Sequence, residues 1–373
     1  MFVMRVLVTG GAGFIGGHLV DRFLQDGFRV RVLDNLDPKI HPHGHPQWLS
    51  DKVEFIQGDV TDRTILQEAL RGVDVVSHQA AYQDYMLDFS RFLHVNAVGT
   101  ALIFELIVRN RLPIKKVIVA SSQAIYGEGQ YECEEHGFVL PRPRSRQQLA
   151  QGDWEIRCST CGNHATPCLL REEYVNPYNQ YAVSKLSQEK TALGLGWLHG
   201  IPTVALRYSI TQGARQSLYN HYSGICRIFF SRALQHLPLI IYEDGRQTRD
   251  FVHIEDVIDA NMLVLGNDEA NFQAFNVGSG KSTTVLEYAH AVIEKLHSQI
   301  GLQISGEYRR GDNRHSVSTN QKLGHIGWQP RRSLSQIMDD FLAWIDKTGG
   351  IPSDVRDAYA DMKSTGVVLS SAT

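Results

Sequence analysis

A glycine-rich turn between a strand and a helix limits the architectures open to this chain. Thr9-Gly10-Gly11-Ala12-Gly13-Phe14-Ile15-Gly16 follows the short apolar run Arg5–Thr9 and leads into a helical pattern over His18–Gln25. Glycines at 10, 13 and 16 let the chain turn tightly, let a pyrophosphate approach the backbone and let the helix pack on its sheet. The helix N-terminus then faces the phosphates. Asp34 ends the next strand about 20 residues further on, where an acidic group hydrogen-bonds a ribose diol and repels a 2′-phosphate. The pattern predicts a dinucleotide site for NAD rather than NADP. Asp59, in Gly58-Asp59-Val60, reads equally as a contact to the adenine amino group or as the cap of the helix that follows.

Arg29–Asp34, Val53–Gln57, Val73–His78 and Val117–Ser121 read as further strands. Arg91–Asn110 carries Phe92, Val95, Val98, Leu102 and Leu106 at helical spacing. Strand alternating with helix predicts an α/β fold with a Rossmann-type, doubly wound parallel sheet and ligands at the strands' carboxyl ends. Residues 128–175 break the rhythm, being polar, rich in Pro, Arg and Cys, and too long for an ordinary loop. It resumes at Tyr178–His199 and Thr203–Tyr208, then turns irregular, with helices expected near Gly224–Gln235, Val285–Ser298 and Leu334–Thr348 and a β-like Leu239–Tyr242. The expected organisation is a dinucleotide-binding domain over 1–127 and 176–211, an insert at 128–175, and a smaller, partly helical substrate-binding domain over 212–363. Some segments of the last return to the sheet, and 364–373 form a flexible tail.

A length of 373 residues suits two packed units of about 150 residues each. A formal charge of −3 argues against binding nucleic acid through bulk positive charge. No apolar run approaches the roughly 20 residues of a membrane span, and MFVMRVLVTG has no basic region or cleavage site of a secretory signal. Five cysteines are too few for a disulfide scaffold. The expectation is a cytoplasmic protein with neither nucleic-acid nor membrane partner.

Tyr181 and Lys185 lie four apart on a predicted helix and share one face. An ammonium beside a phenol favours phenolate, a base able to take a hydroxyl proton near neutral pH. Ser122 ends the fifth strand, where its hydroxyl can bond an oxygen that becomes a carbonyl. Together with TGGAGFIG at 9–16, the chain carries DNL at 34–36, GDVTD at 58–62, HQAA at 78–81, VNAVGT at 95–100, SSQAIYG at 121–127, YAVSK at 181–185, RDFVHIEDV at 249–257, NVGSG at 276–280 and RRGD at 309–312. In this order they resemble the extended short-chain dehydrogenase/reductase family, in its nucleotide-sugar epimerase/dehydratase branch.

The resemblance implies a tightly bound NAD contacted by Gly10, Gly13, Phe14, Ile15, Gly16, Asp34, Asn35, Asp59, Val60, Ala80, Ala81, Asn96, Tyr181, Lys185 and Tyr208, with Asn96 usually structural. It implies Tyr181 as base, Lys185 as anchor of the nicotinamide ribose, and Ser122 as partner of the reacting sugar oxygen. A nucleotide-diphosphate sugar would meet Ser122, Gln123, Asn220, Tyr242, Arg249, Arg309 and Asp312, the two arginines gripping the diphosphate and Asp312 the nucleotide ribose. Sugar 4,6-dehydratases of the family carry an acidic pair after the catalytic Ser/Thr; here Gln123 and Ala124 stand there and cannot move that proton. What remains is 4-epimerisation by transient oxidation at C4, or reduction of a 4-keto sugar with the same residues. Ser209 replaces an asparagine usual in the family. RYSITQG at 207–213 and SLYNHYSGICRIF at 217–229 are similar to the group that interconverts dTDP-L-rhamnose and dTDP-6-deoxy-L-talose, with UDP-sugar 4-epimerisation as the alternative. Relatives commonly dimerise through the Arg91–Asn110 and Tyr178–His199 helices, so a homodimer is expected.

Within the insert, Cys133-x-x-His136-Gly137 and Cys158-x-x-Cys161-Gly162 form two knuckles with 21 residues (137–157) between them. Three cysteines and a histidine are an accepted tetrahedral zinc set. Chance spacing or a redox pair are the other readings, and His164 and Cys168 are spare ligands. Since the insert leaves after Ser122 and returns at Tyr181, it is expected to roof the substrate pocket.

Overall fold

The apolar runs assemble, in a computed structural model that describes residues 3–84, 87–220, 224–309 and 311–371, into one seven-stranded sheet. Its strands are β1 (Arg5–Thr9), β2 (Arg29–Asp34), β3 (Glu54–Gln57), β4 (Val75–His78), β5 (Lys116–Ser122), β6 (Thr203–Tyr208) and β7 (Gln273–Val277). They lie in the order β7-β6-β5-β4-β1-β2-β3, and every neighbouring pair is parallel. Helices cover both faces, which is why the central strands are largely apolar; Val6, Leu7 and Val8 are wholly buried. The strand order reverses between β1 and β4, and this opens a crevice at their carboxyl ends.

Among the described residues, the longer helices that position the rest are α1 (Phe14–Gln25), α2 (Arg63–Leu70), α3 (Phe89–Arg109), α4 (Gln180–His199), α5 (Ile225–Leu234), α6 (Ile254–Gly266), α7 (Val285–Lys295) and α8 (Leu334–Lys347). α1 starts four residues before the expected point, because packing on the sheet overrides the poor helix propensity of Gly16 and Gly17. α3 widens into a π turn over Leu93–Val98. By length and composition α3 is long and apolar enough to cross a membrane, contrary to the expectation that no apolar run approaches that length. Half of its most apolar stretch is buried inside the protein. α4 begins at Asn179, whose side chain accepts from the Ala182 N–H, and ends at Gly200 in the left-handed conformation.

The C-terminal half builds a second core from α5, α7 and α8, with Phe229, Phe230, Tyr288 and Phe341 at its centre. Capping boxes start α7 (Thr284, Glu287) and α8 (Ser333, Gln336). β7 and α6 come from this half yet pack with the sheet and α1. The C-terminal tail corrects an expectation: Val368–Ser370 pairs antiparallel with Glu307–Arg309, and Val368 buries itself against Ala358 and Met362. Two valines and a leucine among small polar residues suffice for that; residues 372–373 lie outside the described residues.

The insert forms a three-stranded antiparallel sheet (Gln130–Cys133, Gly137–Val139, Thr166–Cys168) with a small apolar cluster of Tyr131, Ile156 and Ala165. A buried ion network docks it on the C-terminal half. Arg144 meets Glu128 at 3.4 Å and Glu243 at 2.9 Å, and Arg314 meets Glu243 at 2.8 Å, Asp244 at 2.7 Å and Glu155 at 2.6 Å.

Candidate active site

A cleft of ≈ 610 Å³ follows the carboxyl edge of the sheet and is walled by both halves of the chain. At its floor Gly10 turns with φ +69°, and a Cβ there would lie 2.7 Å from the Ala80 backbone nitrogen. Only glycine fits that approach of β1 to β4. Gly13, Phe14, Ile15 and Gly16 line the cleft, and no side chain caps α1, so its N-terminus is open to an anion. The Asp34 carboxylate accepts from the Ala12 N–H at 3.0 Å and the Leu36 N–H at 2.9 Å, which fixes it at the rim. Asn35 donates to Asp59 at 3.0 Å. Burial would raise the Asp59 pKa, but hydrogen bonds from Thr61 and Asn35 outweigh it and hold the carboxyl low. The cap of α2 belongs to Asp62, not Asp59. Val60, Ala80, Ala81 and Tyr208 also face the cleft. These features fit a dinucleotide. Asn96 is a correction: it is fully buried and absent from the cleft wall. Its amide clamps both backbone groups of Tyr82 and the Ser184 hydroxyl, locking α3 to α4.

Ser122 at the end of β5 meets Tyr181 on α4 in a hydrogen bond, and Lys185 lies one turn further along. Burial pushes the Tyr181 phenol up to about 12, against the pull of the Ser122 bond. It also pushes Lys185 down to about 7, opposed by the charge of Glu189. The expectation that Lys185 would depress Tyr181 therefore does not hold in the chain by itself, because desolvation dominates both groups. The Lys185 ammonium instead donates to the Ala120 carbonyl and the Gln188 amide oxygen, each at 2.5 Å. Behind them Gln188 donates to the Thr100 hydroxyl at 3.1 Å, and His78 sits between Thr100 (2.9 Å) and Thr9 (2.7 Å). Thr100 donates its proton to the Asn96 carbonyl, so it accepts from His78 Nε2 and leaves Nδ1 as the acceptor for Thr9. His78 and Thr100 stand in quoted motifs, but their pairing with each other and with Thr9 and Gln188 carried no sequence signal, since those partners are distant in the chain.

The other half of the cleft holds Gln123, Asn220, Tyr242, Arg249, Arg309 and Asp312, all on its wall. Arg249 is steadied by backbone carbonyls of Thr248, Asn313 and Arg314 at 2.9–3.0 Å. Arg309 pairs with Asp312 at 2.5 Å and stacks on Tyr242 at 5.4 Å, so these three form one unit. Gln123 accepts from Ser316 at 3.0 Å. Ser209 donates its hydroxyl into the site of Asp250, a carboxylate that also receives Ser279 and Ser318. Glu128 and Glu243 face the same cleft and were not anticipated. Arg310 and His221–Ser223, parts of two quoted motifs, lie outside the described residues.

Only Glu128 and Pro143 of the insert reach the cleft, so it forms a side wall rather than a roof. Away from the cleft, Cys133, His136, Cys158 and Cys161 bring their ligand atoms within 4.8 Å of one another. His164 instead lies 3.8 Å from Asp153, and Cys168 stands outside the cluster.

The profile of the NAD dependent epimerase/dehydratase family matches residues 6–146 and 158–278. A dTDP-L-rhamnose 4-epimerase of Burkholderia thailandensis is 32% identical over 91% of this chain and 94% of its own. A putative UDP-glucose 4-epimerase of Methanocaldococcus jannaschii is 30% identical over 91% of this chain and 98% of its own. Among solved structures, the UDP-glucose 4-epimerase of Thermus thermophilus in complex with NAD superposes with a TM-score of 0.71 at 29% identity, covering 92% of this chain and 99% of that one.

Proposed function

Because the chain belongs to the NAD dependent epimerase/dehydratase family, we propose that it is a nucleotide-sugar 4-epimerase that retains NAD and interconverts dTDP-L-rhamnose and dTDP-6-deoxy-L-talose. The observation that carries this reading is the Ser122–Tyr181 hydrogen bond beside Lys185, with Gln123 and Ala124 where a dehydratase needs acids. The dTDP-rhamnose assignment is supported by the 32% identical relative and by Ser209 in place of the usual asparagine.

When bound, NAD supplies a cationic hydride acceptor and, once reduced, the hydride donor. Gly10, Gly13 and the N-terminus of α1 would hold its pyrophosphate and Asp34 a ribose. Tyr181, as the phenolate that the Lys185 ammonium and a bound cationic nicotinamide would favour, takes the proton of the sugar 4-hydroxyl and returns it after the ring has turned over. Ser122 holds the same oxygen while it is a carbonyl, and Lys185 would anchor the nicotinamide ribose. Arg249 and Arg309 grip the diphosphate, Arg309 exchanging Asp312 for phosphate oxygen. No net redox change follows, so a retained cofactor suffices.

Exposed apolar side chains on α3 (Leu93, Val98) and α4 (Val183, Trp197, Leu198) support a homodimer built on those helices. Five free cysteines suit a reducing cytoplasm. A UDP-sugar 4-epimerase is the second reading, favoured by the 30% identical relative.

The test is proton NMR of dTDP-L-rhamnose with purified protein and no added cofactor. New H4 and anomeric signals that reach a stable ratio, and are absent with Tyr181→Phe, are expected. Turnover of UDP-sugars alone would transfer the reading to the second substrate class, and turnover only with added NADH would replace it by a keto-sugar reductase.

A further inference from the structure

We propose that Cys133, His136, Cys158 and Cys161 bind one zinc ion in a closed structural site that braces the insert against the substrate half of the protein. Cys133 Sγ lies 3.6 Å from Cys161 Sγ and 3.6 Å from His136 Nδ1, and Cys158 Sγ lies 3.8 Å from the same nitrogen. A tetrahedron with Zn–S of about 2.3 Å and Zn–N of about 2.1 Å has edges of about 3.5–3.8 Å. Three of the six edges therefore already have tetrahedral length, and all four donors lie within 4.8 Å of one another. The sulfurs are too far apart for a disulfide, whose bond is about 2.05 Å, and all three cysteines are free.

The two knuckles share one design. Each places donors at i and i+3 and then turns through a left-handed glycine, Gly137 at φ +65° and Gly162 at φ +78°. The Thr160 N–H points at Cys158 Sγ at 3.5 Å, as a thiolate ligand needs. Three thiolates and an imidazole are soft and borderline donors, which select zinc over magnesium or calcium. Four protein ligands leave no open position, so the ion has no part in the chemistry.

The insert also needs such a brace. Tyr131, Ile156 and Ala165 are too few to hold a segment of this length, and a metal supplies folding energy where apolar material is short. Cys158 follows Glu155 by three residues, and Glu155 takes Arg314 at 2.6 Å and His315 at 3.2 Å. The backbone carbonyl of Arg314, with that of Asn313, steadies Arg249. Metal loss should therefore loosen the diphosphate end of the cleft and spare the NAD end. That consequence rests on the reading of Arg249 above; the metal site itself does not.

The full-length protein, purified reduced and without chelator, is assayed for metal by mass spectrometry, then stripped and titrated with cobalt(II). About one zinc per chain is expected, together with thiolate charge-transfer and tetrahedral ligand-field bands on cobalt addition. Cys158→Ser/Cys161→Ser should abolish both, and Cys168→Ser should keep both. The zinc site is overturned if the reduced wild-type chain takes up neither metal, if the double variant keeps zinc, or if Cys133 and Cys161 are found joined. If the double variant does not fold, the cobalt spectrum of the wild type decides alone. For the brace, stripped protein should keep its NAD while KM for the nucleotide sugar rises about tenfold and kcat changes less; an unchanged KM overturns the brace and leaves the metal site standing.

Discussion

Replacing Glu189 by glutamine should destabilise the protein by about 3–5 kcal/mol, the cost of leaving one partner of a buried ion pair alone. Glu189 is wholly buried on α4, one turn beyond Lys185. Its carboxylate accepts Arg207 Nε at 2.9 Å, Arg207 Nη2 at 2.7 Å and the Ser121 hydroxyl at 2.7 Å. The Arg207 side chain is only 3% exposed and also donates to the Tyr126 hydroxyl and the Glu172 carbonyl. In Glu189→Gln the guanidinium keeps its charge without a counter-ion, and an amide donor is turned toward a donor. Urea unfolding at fixed NAD, in a cycle with Arg207→Met, measures the pair; a coupling of about 2 kcal/mol or more is expected. The same variant removes the charge that supports the Lys185 ammonium, so Lys185 should titrate below about 7 and activity should fall earlier as pH rises. A loss of under about 1 kcal/mol, or additive single variants, would refute the view that this ion pair ties β5, β6 and α4 together beneath the catalytic residues.

Three further outcomes follow from the geometry. Burial of His78 between Thr9 and Thr100 pushes its pKa down to about 3, so the unfolded chain binds the proton first and stability is lost as pH falls below about 6.5, by about 2 kcal/mol at pH 5. The stability gap between wild type and His78→Gln should narrow by that amount from pH 7.5 to 5, and parallel curves would contradict it. Asp34→Asn keeps the size but removes the charge at the ribose position, so calorimetry should show the preference for NAD over NADP reduced about tenfold. Arg249→Lys loses the guanidinium fork and should raise KM for the nucleotide sugar about tenfold in steady-state kinetics, with bound NAD unchanged.

Local patterns were legible in the chain and distant pairings were not. β1, β2 and β6 have the bounds their local patterns predict, because strands buried on both faces are largely apolar, with Arg31 and Arg207 as buried exceptions. β7 fell in a segment read as irregular, since Gln273–Val277 is short and gains its place only by pairing with β6. The Tyr181–Lys185 pairing is set by helical spacing, but the Tyr181 phenol is raised rather than lowered because spacing shows neighbours and not desolvation. Each Cys/His knuckle is local, and the structure brings the two together. The Arg144–Glu243 contact joins residues 99 apart, and no periodicity carries such a pairing. Asn96 sits in a motif that borders the cleft, yet the π turn of α3 puts it inside the protein.

In the proposed reaction one retained cofactor both oxidises and reduces C4 of the sugar. dTDP-L-rhamnose deuterated at C4, incubated in ordinary water with the purified protein and no added NAD, tests it directly. The talose product is expected to keep deuterium at C4, because the hydride that leaves is the one that returns. Loss of the label to solvent, or turnover only when reduced cofactor is supplied, would contradict it.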